Sequence, residues 1–510
     1  MLMSKESINK RIARNTVLLY FRTAIVLVVS LYSSRILLQA LGVVDFGIYN
    51  VVGGIVLLMS FFRTALSKST SRFIIYELGN KGDAGSLNRV FSAAMSIHII
   101  IAVAVIIVGE TIGLLILNYW TDIPEARQTA AFWVFQFSII VFSLQILTSP
   151  YESVVIAHEN MSVFAYMSIL AAILKLGIVL MIMFCDKDRL IIYALLLVVM
   201  DLLILLIYAL YDRRKYSFTK FTFVWDKEYS GKMFSFSGWT LLGSSANVAT
   251  QQGVSLLFNN FVGLVANAAL GFANQVNSAI QTFVGSFQKA FNPQIIKLYA
   301  QEDLTQMRLL MTRSAKFSFI LAYVIAVPLI ANMELVLQIW LVEVPQYTVD
   351  FCQLILVCSV IDATTGVLNT SISATGKIKG FQIGLSVSFM IDLMFAALLL
   401  WLNMPPALVF GSRIVTRGLF NMAIELYYVR KFLDYSLQDY FKDVLSPILY
   451  ILLVTLPIIM LIYNMFDSWE KLLITCSFSL LSCGMATYFI LLKRHERQVV
   501  FNAIKQKMKK

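Results

Sequence analysis

Runs of about 20 largely apolar residues recur along almost the whole chain, and they restrict its fold more than any other feature. In hydrocarbon every backbone N–H and C=O needs a partner within the protein, so such runs can only become spanning helices. By that length rule there are about fourteen candidate spans. They cover 16–38, 46–62, 91–117, 130–148, 164–184, 190–208, 234–258, 263–287, 317–333, 353–371, 378–401, 407–428, 448–465 and 472–492. Composition agrees, with 59% hydrophobic and 14% charged residues where soluble domains carry roughly 25% charged. The expected fold class is all-α: a polytopic membrane protein.

Basic residues fall in alternate connectors. One set holds the N-terminal Lys5 to Arg14 segment, then Arg63, Lys68, Arg72, Lys81 and Arg89, then Arg213, Arg214, Lys215, Lys220, Lys227 and Lys232. It continues through Lys289 to Lys316, Lys377 and Lys379, and Arg430 to Lys442, and ends in Lys493, Arg494, Arg497 and the Lys505 to Lys510 tail. The intervening connectors hold only Arg127, Lys187, Arg189 and Lys471. The positive-inside rule then places both termini in the cytoplasm. The net charge of +12 is thus a topology signal; nucleic acid is not an expected partner, whereas membrane lipid is. No small-residue cleavage site follows the basic start, so no removed signal peptide is expected. The five cysteines lie in or beside apolar spans without metal spacing and the three histidines are scattered, so no metal and no cofactor is expected.

Two faintly similar segments, Leu78 to Asp83 (LGNKGD) and Leu298 to Asp303 (LYAQED), each follow the second span of a half. Phe46-Gly47 and Leu270-Gly271 sit upstream in similar places. Internal repeats of this kind are common in transporters. They suggest a six-helix lobe at 1–211, a cytoplasmic linker at 212–232, a second six-helix lobe at 233–431, and two extra helices with a basic tail at 432–510. The connectors 63–88 and 292–312 are expected to extend the second helix of each half along the membrane surface. Outer connectors are too short for the catalytic loop of a membrane polymerase or transferase. TGKIKG at Thr375 lacks the glycine spacing of a phosphate loop, so neither enzymatic chemistry nor direct ATP use is expected.

Two adjacent spans are unusually polar. Ser244, Ser245, Asn247, Thr250, Gln251 and Gln252 cluster in the first, and Asn274, Asn277, Gln281 and Gln288 recur in the second at steps of three, four and seven. That spacing places the amides on one face. Such a stripe is costly against lipid and should face water or other helices. Asn247, Gln251, Gln252, Asn274, Asn277 and Gln281 are candidates for a polar substrate pathway; hydrogen-bonded glue between packed helices is the plainer reading.

Nine charges fall within spans: Arg22, Arg35, Lys175, Arg413 and Arg417 against Glu110, Asp201, Asp362 and Asp392. Structural ion pairs, Lys175 with Asp201 and Asp392 with Arg417, would absorb four of them. Arg35 lies near a span end and can snorkel. Arg413 and Arg417 are one turn apart and repel unless an anion or acids intervene, and Arg22 has no evident partner. These three lead the candidates for contacting a phosphate-bearing substrate, with Lys175 and Arg35 behind them, because guanidinium matches phosphate oxygens in bidentate geometry. Asp201, Asp362 and Asp392 are candidates for coupling to H⁺ or Na⁺.

The run from Ser33, SSRILLQALGVVDFGIYNVVGG, with Arg35, Leu41, Gly42, Phe46 and Gly47, resembles the helix 1 to helix 2 signature of polysaccharide flippases. These belong to the multidrug/oligosaccharidyl-lipid/polysaccharide (MOP) exporter superfamily. Gly42 and Gly47 would relieve a tight turn and Asp45 cap the next helix. GFANQVNSAIQTFVGSFQKAFNPQIIKLYAQED from Gly271 is similar as well, with Pro293 after the helix, and DFGIYNVVGG resembles the branch of gut-type Gram-negative surface-polysaccharide loci.

The resemblance implies two six-helix lobes in a V shape, alternating access, and a cationic lumen with Arg22 on the first helix. It implies a flippase for polyprenyl-pyrophosphate-linked oligosaccharide, such as O-antigen for lipopolysaccharide, in the bacterial inner membrane. The implied protein is monomeric, with a polysaccharide polymerase and chain-length proteins as candidate partners. The alternative is a cation-coupled multidrug or metabolite exporter of the same fold. That branch typically carries an acid in helix 1 or helix 7, where this chain has Arg22 or only amides and hydroxyls.

Overall fold

The computed structural model describes residues 5–57, 59–80, 82–119, 123–222, 226–341, 344–465, 468–486 and 488. Lys81, the end of the last expected span at 489–492 and the basic C-terminal tail lie outside the described residues. Among the described residues all regular structure is helical. Among the described residues nine helices are long and apolar enough to cross a membrane. The expected span 46–62 is divided, because α1 ends at Leu57 and the next helix starts at Ser60; the described parts of the remaining expected spans are largely helical, but polar residues dilute them or their apolar length is short. Thus 234–258 and 263–287 lie in the amide-rich helices α8 (Lys227–Phe261) and α9 (Leu264–Ala300), and 407–428 contains Arg413, Arg417 and Glu425.

The first expected span and most of the second lie in one helix, α1 (Lys5–Leu57), broken at Gly42 with φ 76° and ψ 171°. The matching break between α8 and α9 is Gly263, with φ 107°. Both angles lie where a Cβ is disfavoured, which is why glycine stands there. The turn residues of the repeat are therefore Gly42 and Gly263; Gly47 and Gly271 are ordinary helical residues. Asp45 does not serve as the expected cap, because both its carboxylate oxygens accept from Arg127, at 2.8 and 2.5 Å. Arg127 also binds Asp188, which in turn caps α7 (Arg189–Lys215) through the Leu190 and Ile191 N–H groups. Arg189 donates to the Ala40 carbonyl at 3.1 Å, so the start of α7 holds the α1 break from a second side.

The LGNKGD and LYAQED segments carry the same device. Asp83 accepts from Ser86 N at 2.8 Å and caps α3 (Ala84–Val108), and Asp303 accepts from Gln306 N at 3.0 Å and caps α10 (Leu304–Ala331). Just before each cap, an N–H five residues on closes the preceding helix: Gly82 to Glu77 O and Asp303 to Leu298 O, both 3.0 Å. Helix α2 (Ser60–Gly79) and the end of α9 are the helices so closed. Pro293 lies inside α9 rather than after it. The expected linker is also shorter than 212–232, because α7 runs to Lys215 and α8 begins at Lys227 behind an Asp226 cap. Asn88 pins the intervening strand of chain by donating to the Phe218 and Lys220 carbonyls, each at 2.7 Å.

By packing, the described residues up to Ser245 with Tyr299–Gln301 form one unit, and Ala246–Leu298 with those from Glu302 onward form a second. In the first unit α5 (Gln128–Ala157), α6 (Met161–Ile182) and α7 pack on α1 and on each other around Val52, Val134, Phe135 and Tyr193, all fully buried. In the second unit the rings of Phe258, Phe351 and Phe410 meet at 4.7–6.2 Å. They join α8 to α12 (Thr348–Thr375) and α14 (Ala407–Val415). The late helices α17 (Ser446–Met465) and α18 (Ser468–Ala486) dock on α10 through Tyr323–Thr455 and Asn332–Thr475 hydrogen bonds.

Candidate functional site

The first unit gathers charge at mid-helix. Arg63 on α2 donates to Gln145 Oε1 at 3.1 Å, and Gln145 Nε2 donates to Asp201 Oδ2 at 3.4 Å. Arg63 also stands 3.7 Å from Glu152 Oε2. Gln145 and Glu152 on α5, like Asp201 and Tyr208 on α7, are seven residues apart, two turns along one face. Arg22 on α1 lies over the Phe164 ring of α6 at 4.9 Å, within electrostatic range of Glu152 and Tyr208. Its Nε is buried and has no hydrogen-bond acceptor among the described residues. Lys175 is half-buried on α6, within electrostatic range of Asp201. The expected Lys175–Asp201 ion pair does not form; Asp201 takes the Gln145 amide instead. Arg22, Arg63 and Lys175 against Glu152 and Asp201 leave one positive charge in excess. Arg35 is exposed on α1 and makes no ion pair among the described residues.

The second unit balances its charges. Arg413, 4% exposed, places Nε 3.3 Å from Asp392 Oδ2 of α13 (Lys379–Trp401), a charge contact without hydrogen-bond geometry. Thr416 Oγ1 donates to Asp392 Oδ1 at 3.2 Å. Arg417 donates from Nη1 to Asp362 Oδ2 of α12. The expected Asp392–Arg417 pair is thus replaced by Arg413–Asp392 and Arg417–Asp362. A wide π-helical turn, Thr416–Asn421, follows Arg413 between α14 and α15 (Met422–Leu433).

The polar stripe divides between glue and open surface. Thr250 donates to Phe389 O (3.0 Å), Ser359 to Asn277 Oδ1 (2.7 Å), and Gln288 to Ser318 Oγ (3.5 Å) and Ala363 O (3.4 Å). The Gln288 amide sits where a Cβ on Gly366 would meet it at 2.8 Å, so α9 and α12 approach closely there. Gln251 bonds Asn247 at 3.4 Å on its own helix. Gln252 is exposed, and Asn274 and Gln281 are half-buried. Beside them Gln275, Ser278 and Thr282 form an exposed polar strip along α9, at steps of three and four that a heptad reading of the sequence would have caught. Arg63 and Glu152 were also passed over, because each looks like a connector residue until α2 and α5 are seen to run through it. Among the described residues no group of three His, Cys, Asp or Glu side chains could hold a metal ion.

No protein-family model matches this sequence, and no curated protein does. Solved structures do. A multidrug resistance MATE family transporter of the MOP superfamily, in an outward-facing conformation, aligns with TM-score 0.72 and 12% identity over 84% of this chain and 96% of its own. A mutant MATE gives 0.73 and 11% over 84% and 96%. A MOP superfamily transporter from Pyrococcus furiosus, whose reversed binding-pocket polarity suggests a different function for it, gives 0.72 and 11% over 84% and 97%. The chain therefore has the MATE transporter fold, and its structural neighbours are MATE family transporters of the MOP superfamily.

Proposed function

We propose that this chain is a membrane transporter, a flippase that carries polyprenyl-pyrophosphate-linked oligosaccharide across a bacterial inner membrane by alternating access, without enzymatic chemistry. The observation that carries this reading is Arg22, a guanidinium with a buried N–H that nothing among the described residues accepts, in a cluster of three cations and two acids. A group with several anionic oxygens completes that arrangement, and pyrophosphate is such a group. Arg63 and Lys175 supply the further charge. In the second unit the amides and hydroxyls along α8 and α9 offer the weak, numerous hydrogen bonds that sugar hydroxyls require. Arg413 and Arg417, each matched to an aspartate, act by holding α12, α13 and α14 together. Asp201 has no cation within ion-pair distance among the described residues, so it is the acid assigned to H⁺ or Na⁺ coupling.

A cation-coupled multidrug exporter is the second reading. It is favoured by the multidrug MATE likeness and by Glu152 and Asp201, which could receive a cationic drug. The test separates the two in a strain lacking the protein. Cytoplasm-facing polyprenyl-linked glycan should accumulate while surface polysaccharide falls, and the wild-type chain should restore both. Arg22→Ala should fail to restore them at matched membrane level, with Arg22→Lys intermediate. Unchanged glycan pools with new sensitivity to cationic dyes would overturn the flippase reading in favour of export.

A further inference from the structure

The last two turns of α7 carry a surface groove of about 520 Å³ lined by Ile207, Leu210, Tyr211, Arg214 and Lys215. These positions, at i, i+3, i+4, i+7 and i+8, form one helical face. Its character changes along the axis within about 12 Å, at 1.5 Å per residue: first apolar, then phenolic, then cationic. Above it α7 exposes Val199, Leu203, Leu206 and Leu210, between 43% and 56% exposed, an apolar surface that a lipid chain would cover. Asp212, between the two halves of this face in sequence, is fully buried and turned away.

The polar end is built. Tyr211 Oη accepts from Asn160 Nδ2 and from Lys215 Nζ, both at 2.7 Å. With both lone pairs occupied, the phenol has its O–H proton left to donate. Lys215 also lies over the Tyr211 and Tyr216 rings at 5.3 and 5.7 Å. Tyr216 is stacked on His158 at 4.0 Å, and His158 on Phe218 at 5.8 Å. This aromatic stack fixes the ammonium with two of its three N–H bonds uncommitted. Arg214 is exposed and makes no ion pair among the described residues. The negative end of the α7 dipole is over-compensated by Arg213, Arg214 and Lys215.

We propose that this groove binds the phosphate of an anionic phospholipid, with Tyr211, Arg214 and Lys215 on the phosphate and the acyl chains along Leu203 to Leu210. The apolar band continuous with the cations selects a lipid over a soluble phosphate, and exposed Arg214 and Lys215, against the single buried carboxyl of Asp212 that acts on Lys215, select an anionic headgroup. The site is independent of the transported substrate.

The test is native mass spectrometry of the full-length protein in detergent, titrated with phosphatidylglycerol, phosphatidylcholine or glycerol 3-phosphate. Wild type should retain phosphatidylglycerol in preference to phosphatidylcholine. A surface cation near a membrane anion is worth about fivefold in binding, so Arg214→Ala with Lys215→Ala should weaken retention by about thirtyfold. Arg214→Gln alone, at an exposed side chain, should weaken it by about fivefold, which keeps the result independent of the packing around Lys215. Tyr211→Phe should weaken it as well, with some loss of unfolding temperature because Asn160 loses its acceptor, so the exposed Arg214 variant remains the deciding one. Equal retention by wild type and the double variant would overturn the proposal, as would displacement of phosphatidylglycerol by an equal concentration of glycerol 3-phosphate, which would make the site one for free phosphate.

Discussion

Replacing Asp392 by Asn asks whether Arg413 holds the second unit together or belongs to the transport cycle. Arg413 is 4% exposed, Asp392 5%, and their closest atoms are 3.3 Å apart. Asparagine keeps the size and the Thr416 contact but removes the charge, leaving the guanidinium buried and uncompensated. Breaking one side of such a pair costs about 3–5 kcal/mol. At roughly 2–4 °C per kcal/mol for a unit of about 150–250 residues, the unfolding temperature should fall by roughly 6–20 °C. Removing both charges, Asp392→Leu with Arg413→Met, exchanges the pair for apolar packing and should be near neutral, so the double variant should be more stable than either single one. Asp362→Asn should cost less than Asp392→Asn, since the side chains of that pair are 26% and 19% exposed. Thermal unfolding in detergent, followed by tryptophan fluorescence beside surface glycan at matched expression, reads all of these. If Asp392→Asn unfolded at the wild-type temperature yet lost transport, the structural assignment of Arg413 would be refuted and the pair would belong to the cycle.

Other outcomes follow from the turns and caps. Asp83→Ala and Asp303→Ala should each lose about 1 kcal/mol of stability, additively because the two caps share no partner, as thermal unfolding of the single and double variants would show. Gly42→Ala and Gly263→Ala place a Cβ at φ 76° and 107° and should cost about 1–3 kcal/mol each, whereas Gly47→Ala, at a helical residue, should be neutral or stabilising by the same measurement. Burial raises the Asp188 carboxyl, but hydrogen bonds from Arg127 and the Ile191 and Leu190 N–H groups outweigh it and hold the group below its ordinary range. A depressed carboxylate adds stability above its unfolded pKa of about 3.9 and loses it as pH falls through the lower folded value. Wild type should therefore lose more unfolding temperature than Asp188→Asn between pH 6 and pH 3; equal losses would remove Arg127 from the account.

Periodicity and length alone determined that this chain is helical and membrane-spanning, because a backbone in hydrocarbon has so few ways to satisfy itself. The LGNKGD and LYAQED match was legible for a similar reason: a helix cap is a local device, and Asp83 and Asp303 each act within three residues of their own position. Arg22 was legible as a charge with no sequence neighbour to neutralise it. Partners across helices were not. Arg413 and Arg417 choose Asp392 and Asp362, acids on two other helices, and nothing in the local sequence says which acid lies within reach of which arginine. Asn277, Thr250 and Gln288 became interhelical contacts, and Gln275, Ser278 and Thr282 an open face, because only the neighbouring helices decide which side of α9 is covered. Arg63 and Glu152 joined the cationic cluster because α2 and α5 continue past the points where apolar composition stops. Sequence fixes what one helix can do by itself; which charges meet depends on rotation and packing, set by the whole bundle at once.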